Sequence, residues 1–493
     1  MDKSKEIRLA FAALREYIDQ RGDKPISSPE QTYVPKSHAR ALDPETTLVE
    51  GIRGSGKSFW WSALSSAAHR SFLSKAFPNI RIDNAVDIVQ GFGADQDSEK
   101  APSSDTIESL GRKYSPRAIW RTVVATHAKF DDPFPLHTAE QAEKWDQRVS
   151  WVSSNPEQFD SLLRRADQRQ DQSGRTCLIL FDALDRLASQ WDAIRPHAQA
   201  LLQVALEMRS TRRIRLKLFV RPDMLEDRGI SGFPDFSKLN AGKASLEWKR
   251  ADLYALIFQR VGNSHIGGAE FRSLASNISG LPWAEFEDKW WVLPGRLALD
   301  EDLQEKVFIA LAGQAMGSGA SGYKRGKPYT WLVNHLQDGR NQVSPRSFLS
   351  AVGEAAEMTD EDNPSVFSAR AIQIGVQQAS KIRVDEFKNE DYPWVNGLME
   401  ALRGKLTVPC AVDDILTIWN ENSTLKRLKQ ELGSAQNAVK LPPQHLDEGG
   451  IGVLQDLQEL GLVQLQDKGR IQMPDVYRIA FGIGRRGGVK PVK

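Results

Sequence analysis

Eight consecutive residues in this 493-residue chain have the types and spacing that suit phosphate chemistry. Gly51-Ile-Arg53-Gly54-Ser55-Gly56-Lys57-Ser58 fits G-x-x-x-x-G-K-[ST] in full. Glycines let successive backbone N–H groups turn inward around an anion with no side chain in the way. A helix opening at the end of the loop adds the positive end of its dipole. Lys57 would reach the β- and γ-phosphates and Ser58 would offer its hydroxyl to Mg2+, with Gly51, Arg53, Gly54, Ser55, Gly56 and Phe59 completing the cradle. The bland alternative is a chance glycine-rich turn. Against it stand the flanks, because Thr46–Glu50 reads as a strand and FWWSALSSAAHRSFL as a helix. The motif implies binding of a nucleoside triphosphate, with ATP and Mg2+ as cofactors. No N-K-x-D guanine-reading motif appears, which gives weak grounds for adenine over guanine.

Such a site needs a second carboxylate on the magnesium side, at the end of a neighbouring strand. The apolar run Thr176–Phe181 reads as a buried parallel strand and closes on Asp182. Ala183, Leu184, Asp185 and Arg186 follow it. A glutamate directly after the aspartate would polarise the attacking water, but alanine stands there. Either hydrolysis is slow or Asp185 takes the base role from one short turn away. Asp185 and Arg186 read equally well as helix-capping and surface residues. Lys57, Asp182 and Asp185 are therefore the catalytic candidates, and Ser58 and Asp182 the candidate magnesium ligands.

The elements that must position these residues alternate along the chain. After Thr46–Glu50 come a strand at Val86–Phe92, helices at Pro116–His127 and Pro156–Asp167, the Thr176–Phe181 strand and a helix at Ala193–Met208. IRLKLFVR gives a further strand, Ala244–Trp248 a fifth, and KRADLYALIFQRV a helix. Strands separated by helices predict an α/β fold, a doubly wound parallel sheet with helices on both faces. Helices dominate from about residue 262 to Ser380. The segment IGVLQDLQELGLVQLQDKGRIQMPD then reads as a helix, two short strands and a turn at Asp467–Gly469, a winged-helix-like ending. The resulting division is an N-terminal helix and linker (1–40), a P-loop core (41–262), an all-α lid (263–380) and a winged-helix-like domain (381–493). GADQDSEKAPSSD, from Gly93, reads as a mobile acidic loop.

The phosphate loop with F-D-A-L-D-R-L at Phe181–Leu187 resembles the Walker A and B pair of P-loop ATPases in the STAND and KAP groups, relatives of AAA+ and origin-recognition ATPases. The likeness covers about residues 40 to 350. KAP-type members carry D-D-L-D-R where this chain has Ala183 for the second aspartate, and many carry a membrane insertion that it lacks. The resemblance implies that the strand ending at Arg221 lies between the other two site strands, which points Arg221 toward the γ-phosphate as a sensor. The other reading is an arginine leaving a strand end. Ser344-Pro345-Arg346-Ser347-Phe348 looks like the lid-borne second sensor, which would put Arg346 on nucleotide; it is also simply a good helix start. The glycine loop Gly317–Pro328 carries Lys324, Arg325 and Lys327, either as a finger for a neighbouring subunit or as a solvated connection. The likeness further implies a homo-oligomer acting as a switch or assembly platform, with a separate effector protein of the kind found in anti-phage defence or mobile-element systems. A DNA-acting loader or transposition regulator is the alternative, and a scaffold that scarcely hydrolyses is a third reading.

Composition narrows the rest. With 40% hydrophobic and 26% charged residues, 20 Phe and 13 Trp, the chain is not a disordered one. No run nears the ~18–20 apolar residues of a membrane helix, and no secretory segment follows the amphipathic N-terminus, so a cytoplasmic protein without membrane contact is expected. Two cysteines, Cys177 and Cys410, make neither a disulfide framework nor a zinc site, and no metal-ligand spacing of histidines appears. Sixty-five basic against 64 acidic residues leave no global argument for nucleic acid. Locally, Arg470, Arg478, Arg485, Arg486, Lys490 and Lys493 make the C-terminus basic and suited to DNA phosphates; a protein-docking or autoinhibitory module is the other reading. Trp60–Trp61 and Trp290–Trp291 read as adjacent helix positions, one of each pair meeting a different element or subunit.

Overall fold

The computed structural model describes residues 3–15, 29, 32–76, 78, 80–82, 85–93, 100–128, 144–188, 190–286, 290–317, 322–434, 441–486 and 489–491. They fall into two compact units. One is formed by residues 34–247, the other by the N-terminal helix, residues 32–33 and the chain from Trp248 onward.

The first unit is built on five parallel strands: β1 (Leu48–Glu50), β2 (Val86–Phe92), β3 (Thr176–Phe181), β4 (Ile214–Val220) and β5 (Ala244–Ser245). Their order across the sheet is β2-β3-β4-β1-β5. In β3 the five residues from Cys177 to Phe181 are all buried, as a strand covered on both faces must be. Registers such as Leu48↔Leu218 and Phe181↔Leu218 bring the carboxyl ends of β1, β3 and β4 to one edge. Helices Pro116–His127, Pro156–Gln172 and Trp191–Met208 connect and cover the strands. This is the P-loop NTPase fold, and β4 does lie between the strands that end at Glu50 and Phe181.

Both Trp60 and Trp61 are buried in this unit, adjacent on the helix Lys57–Ser65 and meeting different neighbours. Trp60 donates to His38 Nδ1 at 3.3 Å, and Trp61 lies so close to Gly93 that a Cβ there would come within 2.3 Å of its ring. Of the expected acidic loop, 94–99 lie outside the described residues, while Ser104–Gly111 is a helix capped by Ser103.

The second unit is mainly helical. The N-terminal helix Lys3–Ala12 packs against helices Arg250–Gly262, Gly268–Ser279 and Pro345–Glu357. Arg8 fixes it there, donating to the carbonyls of Asp360, Asn363 and Ser365. The helical run also contains a hairpin, β6 (Ala284–Phe286) with β7 (Trp290–Val292). Trp290 and Trp291 are thus strand residues rather than the adjacent helix positions expected; Phe286 stacks on Trp290 and Arg272 covers Trp291. A strand of three residues carries no period of its own, so the sequence pattern does not distinguish it from a helix.

At the C-terminal end, helices Val412–Glu421, Thr424–Ser434 and Gly449–Glu459 are followed by β10 (Gln464–Gln466), the Asp467–Gly469 turn and β11 (Arg470–Gln472). β11 also pairs with β9 (Cys410–Ala411), which completes a winged-helix arrangement. The last strand, β12 (Gly484–Arg485), pairs in parallel with β8 (Thr407–Val408) and holds the tail on the unit.

Candidate nucleotide site

The loop after β1 takes the form its glycines allow. Gly54 and Gly56 have φ of 75° and 102°, values that side chains resist. A Cβ on Gly51 would fall 2.3 Å from the Ser55 hydroxyl. Gly51 N–H is tied to Val220 on β4 (3.1 Å), so the loop starts from a fixed point on the sheet. Gly56 then caps the helix Lys57–Ser65, whose first N–H groups point back into the loop. The backbone therefore fits a bound phosphate chain: close approach is possible at the three positions where a side chain would block it. Phe59, the third residue of that helix, packs edge-on against Trp60.

Lys57 Nζ donates to the carbonyls of Gly51 and Ile52, at 2.7 and 2.9 Å. Removal from water pushes its ammonium down to about 8, partly opposed by Asp182, Asp185 and Asp223 and assisted by Arg221. Asp182, 3% exposed, stands at the end of β3, its N–H bonded to Phe92 O at 3.0 Å. Burial raises its carboxyl above the usual range, against hydrogen bonds from the Ser58 hydroxyl and the Ala183 N–H and the charge of Lys57. The Ser58 hydroxyl and the Asp182 carboxylate are thus in hydrogen-bond contact. Ala183 is in the left-handed region (φ 54°, ψ 39°) and turns the chain so that Leu184–Arg186 form one short helical turn.

That turn carries Asp185 to Arg221, which leaves β4 between the two site strands; Nη1 and Oδ2 are 3.7 Å apart. Arg221 is buried, and its fork is engaged by Asp223. Lys57, Ser58, Asp182, Asp185 and Arg221 are thus brought together. Asp223 was missed by sequence reasoning, because its place two residues after Arg221 in R-P-D does not by itself say that it turns back on the arginine. Arg346 belongs to the other unit; it opens helix Pro345–Glu357 under a Ser344 cap and pairs with Glu386 at 2.8 Å. Lys327 pairs with Glu305, and residues 318–321 of that glycine loop lie outside the described residues.

The basic C-terminus departs from expectation. Arg478 is fully buried, bonded to Asp475 and to the carbonyls of Ile483 and Val489. Arg485 also meets Asp475, at 3.1 Å, and Arg470 donates to Pro409 O. Arg478 cannot meet a phosphate, because a buried arginine is held by the partners that neutralise it. Residue 493 lies outside the described residues. The helix Gly449–Glu459 contains no lysine or arginine.

No family model matches the chain, and no curated protein sequence matches it. Among solved structures, a Walker-type ATPase of Pyrococcus abyssi superposes with a TM-score of 0.39 at 13% identity, over 93% of this chain and 97% of that one. The Aeropyrum pernix ORC2 protein, in ADPNP–ADP complexes, gives 0.30 at 13% over 90% and 93%. Drosophila ORC bound to DNA gives 0.31 at 10% over 96% and 90%. Likeness of this degree carries no argument about activity or partners, which rest on the site itself. Among the described residues no helix is long and apolar enough to cross a membrane.

Proposed function

We propose that this protein is a magnesium-dependent ATPase of AAA+ type that acts as a nucleotide-controlled switch or assembly platform. The observation that carries the reading is the meeting of Lys57, Ser58, Asp182, Asp185 and Arg221 at one edge of a parallel sheet, beside a loop shaped for phosphate. Lys57 would hold β- and γ-phosphate oxygens, with Arg53, Ser55 and Phe59 flanking the chain. Ser58 and Asp182 are the residues that would hold Mg2+, which when bound supplies positive charge against the transferring phosphoryl group. Arg221 would orient on the terminal phosphate. Asp185 would accept the proton of the attacking water; with alanine at 183 this base stands one turn away, which suits slow turnover. Arg346 is a proposed phosphate contact on the resemblance alone.

Phosphate release from the parent compared with Lys57→Ala and Asp182→Ala tests the enzyme reading: both variants should lose it, and equal release in all three overturns it. Asp185→Asn should abolish turnover and spare ATP binding; unchanged turnover would return Asp185 to a structural role. A mass in solution that rises with ATP in the parent but not in Lys57→Ala would support ATP-controlled oligomerisation. The winged-helix arrangement favours one second reading, a DNA-acting ATPase contacting phosphates through Lys468, Arg470 and Arg486. Duplex DNA should then stimulate turnover, with binding that weakens steeply as salt rises; no DNA effect at low salt removes it.

A further inference from the structure

Arg221, Pro222 and Asp223 leave β4 in an arrangement fixed by the backbone. Pro222 opens the helix Pro222–Glu226, so Asp223 sits in its first turn with its carboxylate turned back on the preceding arginine. Arg221 Nε donates to Asp223 Oδ1 at 3.1 Å, and Nη2 lies 3.1 Å from Oδ2. Two parallel contacts of this kind are the strong, oriented form of an arginine–carboxylate pair. The remaining edge, Nη1, faces Asp185 at 3.7 Å. The Arg221 side chain is 10% exposed and that of Asp223 14%, so water screens the pair poorly. Lys57 feels the charges of Arg221, Asp185 and Asp223 together, which puts the trio within electrostatic reach of the phosphate-binding lysine.

We infer that Asp223 is a positioning residue, a carboxylate latch on the Arg221 guanidinium that a terminal phosphate has to displace. The strength of this latch then sets how far the site prefers a nucleoside triphosphate to a diphosphate. A γ-phosphate that takes the Nε–Nη2 edge of Arg221 exchanges one anion for another on the same N–H fork. A diphosphate ends short of that fork and leaves Asp223 in place. The inference rests on the reading of the loop as a nucleoside-triphosphate site. A merely structural Asp223, serving only the helix start, would leave the preference untouched.

The test is calorimetric titration of the full chain with ATP and with ADP, in the presence of Mg2+. The proteins are the parent, Lys57→Ala, Asp223→Asn, Asp223→Ser, Asp223→Glu, Arg221→Gln and the Arg221→Gln/Asp223→Asn pair. Asp223→Asn should tighten ATP by roughly tenfold and leave ADP within about twofold, since a charged hydrogen-bond competitor is removed. Asp223→Ser, which removes the charge but keeps a small polar side chain, should do the same and serves if Asp223→Asn does not fold. Asp223→Glu should restore the parent ratio, and in Arg221→Gln the second change should have no effect on it. An unchanged ATP-to-ADP ratio in folded Asp223→Asn or Asp223→Ser overturns the latch while the loop reading stands, provided the parent binds ATP and Lys57→Ala does not. If the parent binds no more ATP than Lys57→Ala, the loop reading itself fails and the latch falls with it.

Discussion

Lys57 meets two opposing demands. Its ammonium is taken from water, which pushes it down to about 8, yet an arriving phosphate would favour its charged form. Above about pH 8 the free side chain is mostly neutral, whereas the phosphate-bound one is charged, so nucleotide binding should take up a proton there. Titration with ATP near pH 9 in buffers of different ionisation enthalpy should show that uptake, and titration below about pH 7 should lose the Lys57 part of it. A buffer-independent heat near pH 9 would mean that Lys57 is charged throughout. Ala183 presents a different strain. A Cβ in the left-handed region costs ~1–2 kcal/mol, and here it holds the turn that aims Asp185. Ala183→Gly should raise stability by about 0.5–1 kcal/mol in denaturant melts, after the entropy of glycine is subtracted. No gain would show that the surrounding structure has already absorbed the strain.

Among the elements, β4 does more than fill the sheet. Lys217, in its middle and fully buried, donates to the carbonyls of Ala41, Asp43 and Thr46 at 2.7, 2.9 and 2.7 Å. It closes the end of the helix His38–Leu42 and fixes the approach to β1, hence the start of the phosphate loop. Burial lowers its ammonium to about 7. Lys217→Met should cost about 2–4 kcal/mol, because three buried carbonyls lose their donor at once. Urea denaturation measures this; a loss below about 1 kcal/mol would mean that water reaches those carbonyls. In the winged helix, His445 donates to Asp456, 2.8 Å away, which raises the histidine above its usual value. Asp456 also accepts from the N–H groups of Gln444 and His445, so the group secures a turn. A raised folded value means stability fully present below about pH 6.5, the unfolded value, and lost as pH climbs from there through the higher folded value. His445→Gln should flatten the decline in melting temperature on the alkaline side; an identical pH profile would remove the pair from the stability balance.

For the whole molecule, the division into two compact units predicts two unfolding events. ATP with Mg2+ at about a hundred times its Kd should stabilise the unit of residues 34–247 by ~2.7 kcal/mol. Calorimetry with and without nucleotide should move the transition of that unit directly, and Lys57→Ala should remove the shift. A single transition that moves as one would show that the units unfold together. The even charge balance of the chain also takes form at this scale. Arg478 and Arg221 spend their charge on Asp475 and Asp223 inside the fold, and Arg485, though exposed, is paired with Asp475, so composition overstates what the surface offers a polyanion.

What the sequence determined by itself is whatever depends on neighbouring residues. A phosphate is held by consecutive backbone N–H groups, so the cradle from Gly51 to Ser58 is legible in eight letters. The strand Thr176–Phe181 and its terminal Asp182 were legible because burial on both faces demands an unbroken apolar run. The short turns and strands were not: Trp290 and Trp291 lie on a strand too brief to show a period. Only the tertiary structure decided which charges meet. Crossover connections set β4 beside β1 and β3, and that adjacency brings Arg221 within reach of Asp185, while R-P-D spacing alone did not say that Asp223 would grip it. The same holds for Lys217 beneath the loop and for Arg478, written as part of a basic tail and folded as a buried ion pair. Local geometry follows the order of the chain, but the partner of a charge follows the packing that removes it from water.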